Sequence, residues 1–207
     1  MPLVEIGRFL AVFFCGLAIK LLDDFLDHQK DALWGRWNWV ERLGPATAVY
    51  GMAALAVACS LDAQQALPLF WAAYALGMVS APAERYPSGT SAWMETISCL
   101  VFCGFCFGLQ HTTFALFALM AVQCIDDVMD SEQTPVCAAW PLVGHMVGRG
   151  SMWDRVTMTV VGSLCGGMAV LLDPMATGRV GAAAVLIWVM ARMGERLGWK
   201  KSGEVEK

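Results

Sequence analysis

Long apolar runs alternate along the chain with short polar intervals. Seven runs stand out, over residues 3–22, 43–61, 66–81, 92–109, 112–125, 153–172 and 180–193. Runs of this kind are what a lipid solvent selects, because inside a bilayer the backbone satisfies its own hydrogen bonds only by coiling into helices or closing a barrel. A helix needs about 20 residues to cross the hydrocarbon layer. The third, fifth and seventh runs are shorter, so their flanks extend them or the helices are broken within protein. The pattern predicts an all-α, polytopic transmembrane helical bundle of about seven spans, one domain over 1–193, followed by a polar tail over 194–207. The first run is read as retained rather than as a signal peptide: Lys20 and the acidic stretch after it leave no small-residue cleavage site.

Composition sharpens this picture. The chain is 57% hydrophobic and 15% charged, where a soluble domain carries about a quarter charged residues; its mean hydropathy is +0.55. There is no basic stripe and no recognition motif, which excludes nucleic acid as a partner. Most of the eight cysteines fall inside apolar runs, which argues against a secreted disulfide framework. Cys99, Cys103 and Cys106 share one helical face, and small polarizable side chains packing between helices explain them more simply than a metal does.

Charge gives an orientation. If the first run crosses from outside to inside, twelve of the fourteen Lys and Arg residues fall on the inner side, and only Arg8 and Arg179 remain outside. Such asymmetry follows the positive-inside rule. It predicts an integral protein of the cell membrane, with its N-terminus outside and its C-terminus cytoplasmic.

That orientation gathers the acids on the cytoplasmic face. One cluster, Asp23, Asp24, Asp27 and Asp31, continues the first apolar run; another, Asp126, Asp127 and Asp130, continues the fifth. If each helix continues, Asp23, Asp27 and Asp31 recur every four residues with Asp24 beside them, and Asp126 and Asp130 are likewise four apart. Like charges at that spacing repel, and acids at a helix C-terminus oppose the macrodipole. Solvated helix ends are the plain alternative, but two helices then make the same unfavourable choice. A divalent cation offsets the repulsion. Mg²⁺ takes hard carboxylate oxygens, keeps several waters and completes its shell with substrate phosphates. The two acidic ends therefore suggest an Mg²⁺–diphosphate site at the membrane edge.

These residues resemble a known family. Asp23-Asp24-x-x-Asp27-x-x-x-Asp31 is similar to the NDxxDxxxD motif of the UbiA superfamily of intramembrane prenyltransferases, with Asp23 where Asn is usual. Asp126 and Asp130 match its DxxxD motif, and Ser80–Tyr86 followed by Glu95 resembles the loop between the motifs in menaquinone-type members, with Arg85 at the basic position. The resemblance implies a helical bundle around a cavity open to lipid, in which Mg²⁺ helps ionise a polyprenyl diphosphate and the allylic cation alkylates an acceptor. Carried over by position, Asp24, Asp27 and Asp31 bind one Mg²⁺–diphosphate half, and Asp126 and Asp130 the other. Asp23 and Asp127 are further ligands, and Lys30, Arg36 and Arg85 neutralise the leaving group. The family has nine spans and carries its motifs on helices two and six; here they lie on the first and fifth of seven runs. A missing span at each end removes part of the cavity wall, which leaves four alternatives: a second copy completes it, a membrane partner completes it, the substrate is small or unusual, or catalysis has been given up.

A UbiA-type terpene cyclase, working without an acceptor, is a variant of the same reading. The rival class is non-enzymatic: a divalent-cation carrier, or a degenerate relative acting as an assembly partner. A carrier wants ionisable groups near the midplane with access from both sides, whereas these clusters sit at one edge. His28 is read as a solvated neighbour of the acids, Glu95 as the partner of a base such as Arg85, and Trp34, Trp37 and Trp39 as part of an interfacial aromatic belt. The loop over 131–152 reads equally as a cap over the site or as a surface loop.

Overall fold

The computed structural model describes residues 2–34, 37–79, 89–130 and 152–196. Among these the protein is all-helical. Helix α1 spans Pro2–Trp34, the short α2 Val40–Leu43, α3 Ala46–Val79, α4 Ala92–Phe107, α5 Leu109–Asp130, α6 Met152–Leu172 and α7 Pro174–Arg196.

The breaks between helices have local causes. Inside α3, Asp62 leaves helical geometry at φ −160° and ψ 93°. Its Oδ1 accepts the backbone N–H of Gln65 at 3.1 Å, so Asp62 caps the second half of α3 as it breaks the first. Gly108 ends α4 at φ +86°, a conformation that L side chains rarely adopt, and α5 starts at the next residue. Between α6 and α7, Asp173 Oδ1 accepts the N–H of Ala176 at 2.8 Å, and Pro174 opens α7 at the position where no backbone donor is needed.

The chain divides into two compact units, Met1–Leu67 with Arg179–Lys207, and Pro68–Gly178. In the first, α1 and α7 run in the same direction. Arg179 near the start of α7 donates to Glu5 near the start of α1 at 2.7 Å. Trp37, just past α1, lies against Gly194 near the end of α7. Up to its break α3 runs the other way: Gly51 faces Leu22, and Asp62 Oδ2 lies 3.7 Å from Arg8 Nε; just past the break the Cys15 thiol donates to the Ala66 carbonyl at 3.2 Å. One end of this unit therefore carries Glu5, Arg8, Asp62, Gln65 and Arg179, and the opposite end carries the acids of α1.

In the second unit, α4 and α5 pack against each other and α5 lies along α6. Gln110 at the start of α5 approaches the carbonyl of Leu172 at the end of α6 at 3.5 Å, so these two helices are antiparallel. Gly162 lets them come close, since a Cβ there would stand 2.9 Å from Cys124 Cβ.

The packing is inverted relative to a soluble protein. Among the described residues, fourteen of the twenty-four buried hydrophobic ones are alanines. Large apolar side chains face outward instead, among them Leu3, Phe105, Leu109 and Leu171, each more than three-quarters exposed. Small residues between helices and large ones outside are what an apolar solvent favours. Two helical stretches, Ala46–Gly77 and Pro174–Gly194, are long and apolar enough to cross a membrane; Ala92–Phe107 and Val156–Leu172 are apolar but shorter. The Asp62 break divides the first of the two.

Candidate functional site

α1 does not end with its apolar run: it continues as one helix to Trp34 and so carries all four acids of the first cluster. Their environments differ. Asp24 is buried, with 4% of its surface accessible. Its Oδ1 pairs with Lys20 Nζ, one turn earlier, at 3.0 Å, and its Oδ2 accepts the backbone N–H of Trp39 at 3.1 Å. Asp27 and Asp31 are half-buried, and Asp23 is exposed.

The segment that returns from α1 is fastened to it through Asn38, which is 1% accessible. Asn38 Nδ2 donates to the Asp24 carbonyl at 2.8 Å and to Asp31 Oδ2 at 2.7 Å. Its Oδ1 accepts the N–H of Val40 at 2.8 Å, an Asx turn that starts α2. Asn38 is buried and both atoms of its amide are hydrogen-bonded, which is the condition for burying an amide in an apolar unit. Trp37 and Trp39 flank it edge to face, ring centres 5.0 Å apart. Trp37 thus packs within protein, where the pattern suggests only a place in an interfacial belt.

Asp23 keeps accessible surface, yet the protein crowded around it withdraws bulk solvent. That desolvation chiefly pushes its carboxyl up to about 6; Lys20 opposes the shift, and the charges of Asp27, Asp24 and Asp31 add to it. His28 differs from its expected role as a solvated neighbour. Its Nδ1 is sealed from solvent and has no hydrogen-bond partner among the described residues.

The second cluster lies at the C-terminal end of α5, which runs unbroken to Asp130, and Asp126 is exposed there. The side chains of Asp127 and Asp130 lie outside the described residues, as do that of Lys30 and the whole of Arg36, Arg85 and the 131–151 loop. Glu95 takes hydroxyl donors, Tyr74 Oη at 3.0 Å and Thr90 Oγ1 at 2.8 Å; its expected partner Arg85 is not described. Among the described residues, no three His, Cys, Asp or Glu side chains are grouped to hold a metal. Cys103 is buried and accepts the Thr112 hydroxyl at 3.4 Å, whereas Cys106 on the same helix is exposed.

Lys20 and Asn38 are the partners that sequence reasoning did not assign to the acids. For Asn38 a signal exists: an Asn two residues before the start of a helical run is a turn-and-cap residue. Nothing in the sequence says that its amide reaches back to Asp31. No family model, no curated protein and no solved structure matches the chain.

Proposed function

We propose that this protein is a Mg²⁺-dependent intramembrane enzyme of UbiA type, which ionises an isoprenoid diphosphate and transfers the allylic cation to an acceptor. The observation that carries the reading is the pair of acidic ends on α1 and α5. Each cluster lies on an unbroken helix that emerges from an apolar run. The inverted packing supports a lipid surrounding, and seven spans with the acids on the cytoplasmic side belong to the same proposal.

The donor chemistry suits the ion. Mg²⁺ is held by one or two carboxylates and fills its octahedron with water and phosphate oxygens, so no preformed cage of three protein ligands is needed. When bound, it supplies charge neutralisation for the departing diphosphate. The protein's own part is to present Asp23, Asp24, Asp27 and Asp31 from α1, and Asp126, Asp127 and Asp130 from α5. Lys30, Arg36 and Arg85 add positive charge where leaving-group charge develops. The surrounding apolar surface keeps water from the cation.

A second reading has one observation in its favour. Asp24 and Asp31 already have partners within the fold, as acids would in a non-enzymatic relative that keeps them to fasten helices. The two readings separate in a thermal-stability experiment on detergent-purified protein with geranylgeranyl diphosphate, with and without Mg²⁺. The enzyme reading expects a shift that needs both ligand and metal and vanishes in Asp27→Ala/Asp130→Ala. Absence of a shift with shorter and longer isoprenoid diphosphates as well contradicts it.

A further inference from the structure

The turns of α1 that follow its apolar run have their polarity reversed. Asp24 is buried, and Asp27, His28 and Asp31 beside it are half-buried, with His28 Nδ1 sealed from solvent. Leu26 and Leu33, on the opposite side of the same helix, are 80% and 85% exposed, and Phe25 is exposed next to them. Gln29 and Ala32 complete that outer face, and Asp23 stands at its border. A helix that projects into water turns its charges out and its leucines in. Here the ionisable groups turn into the protein and the leucines out, as in a helix whose solvent is apolar.

The neighbouring helices of the same unit fix the level of these turns. The apolar stretch Pro174–Gly194, long enough to cross a membrane, ends at the residue that meets Trp37. Asn38, the residue after Trp37, donates to the Asp24 carbonyl and to Asp31. The stretch Ala46–Gly77 starts at the same level. Gly51 faces Leu22, so in this antiparallel pair Ala46 lies about 7 Å further on, level with Asp27. Exposed large side chains continue around the unit at this height, Val49 and Tyr50 on α3 and Met193 on α7. They make a rim on three helices rather than a patch on one. A second copy of the chain would cover one side of such a rim, whereas lipid covers all of it.

We propose that the outer face of residues 25–33 docks into phospholipid at the boundary of headgroups and acyl chains, continuing the exposed apolar surface of α3 and α7. The acid-bearing turns of α1 then lie along the lipid surface instead of standing in water, with Asp24, Asp27 and Asp31 turned into the protein. Gln29 and Asp23 fit the headgroup side of that boundary. The inference rests on the membrane reading and is independent of any bound metal.

The test uses the full chain in nanodiscs of phosphatidylcholine and phosphatidylglycerol. The photoreactive residue p-benzoylphenylalanine replaces Leu26, Leu33 or, as a reference, Phe105, which is 89% exposed on the apolar helix α4. Under near-ultraviolet light its ketone carbon joins the carbon of a neighbouring C–H bond, and the hydrogen passes to the ketone oxygen. Intact mass then identifies the neighbour. The Leu26 and Leu33 variants are expected to gain the mass of one phospholipid, in a yield comparable with that of the Phe105 variant. Leu33, the farther from the apolar run, is the decisive position.

A lipid adduct at Phe105 with none at Leu33 overturns the inference and leaves the membrane reading standing. So does a doubled protein mass at Leu33, which assigns the face to a second copy. No lipid adduct at any of the three positions overturns the membrane reading and this inference with it. Should the Leu33 variant fail to fold, Leu26 takes its place as the deciding position.

Discussion

Trp37 closes against Gly194, where an added Cβ would lie 2.9 Å from the edge of the indole ring. The contact joins the residue just past α1 to the last turns of α7, so the register of these two helices depends on a glycine that offers no side chain. Gly194→Ala is expected to destabilise the protein by about 1–3 kcal/mol through overpacking, although alanine is the better helix former. Combining it with Trp37→Phe, which shortens the ring system, is expected to recover part of the loss. A midpoint unchanged in Gly194→Ala contradicts the packing described.

Glu5 and Arg179 meet at 2.7 Å across 174 positions of sequence. Arg179 retains 11% of its side-chain surface, while Glu5 is nearly half exposed, and Glu5 also takes Arg8 at 3.0 Å. Solvent at Glu5 weakens the pair, so a double-mutant cycle between Glu5→Gln and Arg179→Gln is expected to give a coupling of about 1 kcal/mol or less. Arg179→Gln alone costs more than Glu5→Gln, because the nearly buried partner also loses its approach to Gln65. Equal single losses with zero coupling would show that the contact does not form.

Asp23 sets a pH dependence. Its folded carboxyl is raised to about 6, above its ordinary value, so between about pH 4 and 6 the folded state binds more protons than the unfolded state. Stability therefore falls as pH rises through that window and does not return at neutral pH. In metal-free buffer, Asp23→Asn is expected to raise the midpoint at pH 7.5 by about a few degrees and to flatten the slope between pH 4 and 6. A midpoint that rises from pH 4 to 6 in the wild type, unchanged in the variant, contradicts this assignment.

Several breaks were legible as residues. Asp62 and Asp173 fall between apolar runs and do there what a short acidic side chain does best, accepting the first free N–H groups of the next helix. The shared face of Asp23, Asp27 and Asp31 was conditional on the helix running past the apolar segment, and α1 runs to Trp34. What the pattern withholds is which acids are already spoken for. Asp24 and Asp27 look alike in a motif; the partners that distinguish Asp24, the Trp39 N–H and the Asn38 amide, come from a return segment whose path no local periodicity encodes. The same holds for Arg179, which charge counting treats as an outer cation and which the fold pairs with Glu5. Hydropathy also overstated the evenness of the runs. Seven runs were read as spans, the third, fifth and seventh as short ones, yet among the described residues two helical stretches have the length and apolar character to cross by themselves, because α1 carries Glu5, Arg8 and Lys20 and the apolar parts of α4 and α6 are shorter.

The central claim is that these acids serve Mg²⁺-dependent ionisation of an isoprenoid diphosphate, and release of inorganic diphosphate tests it most directly. Purified protein in lipid nanodiscs is incubated with geranylgeranyl diphosphate, and diphosphate is followed over time. The account expects release that requires Mg²⁺, is abolished by EDTA, and falls at least about a hundredfold in Asp27→Ala and in Asp130→Ala, whose midpoints stay near that of the wild type. Release that persists in both variants, or none at all from well-folded wild-type protein across isoprenoid diphosphates of different length, contradicts it.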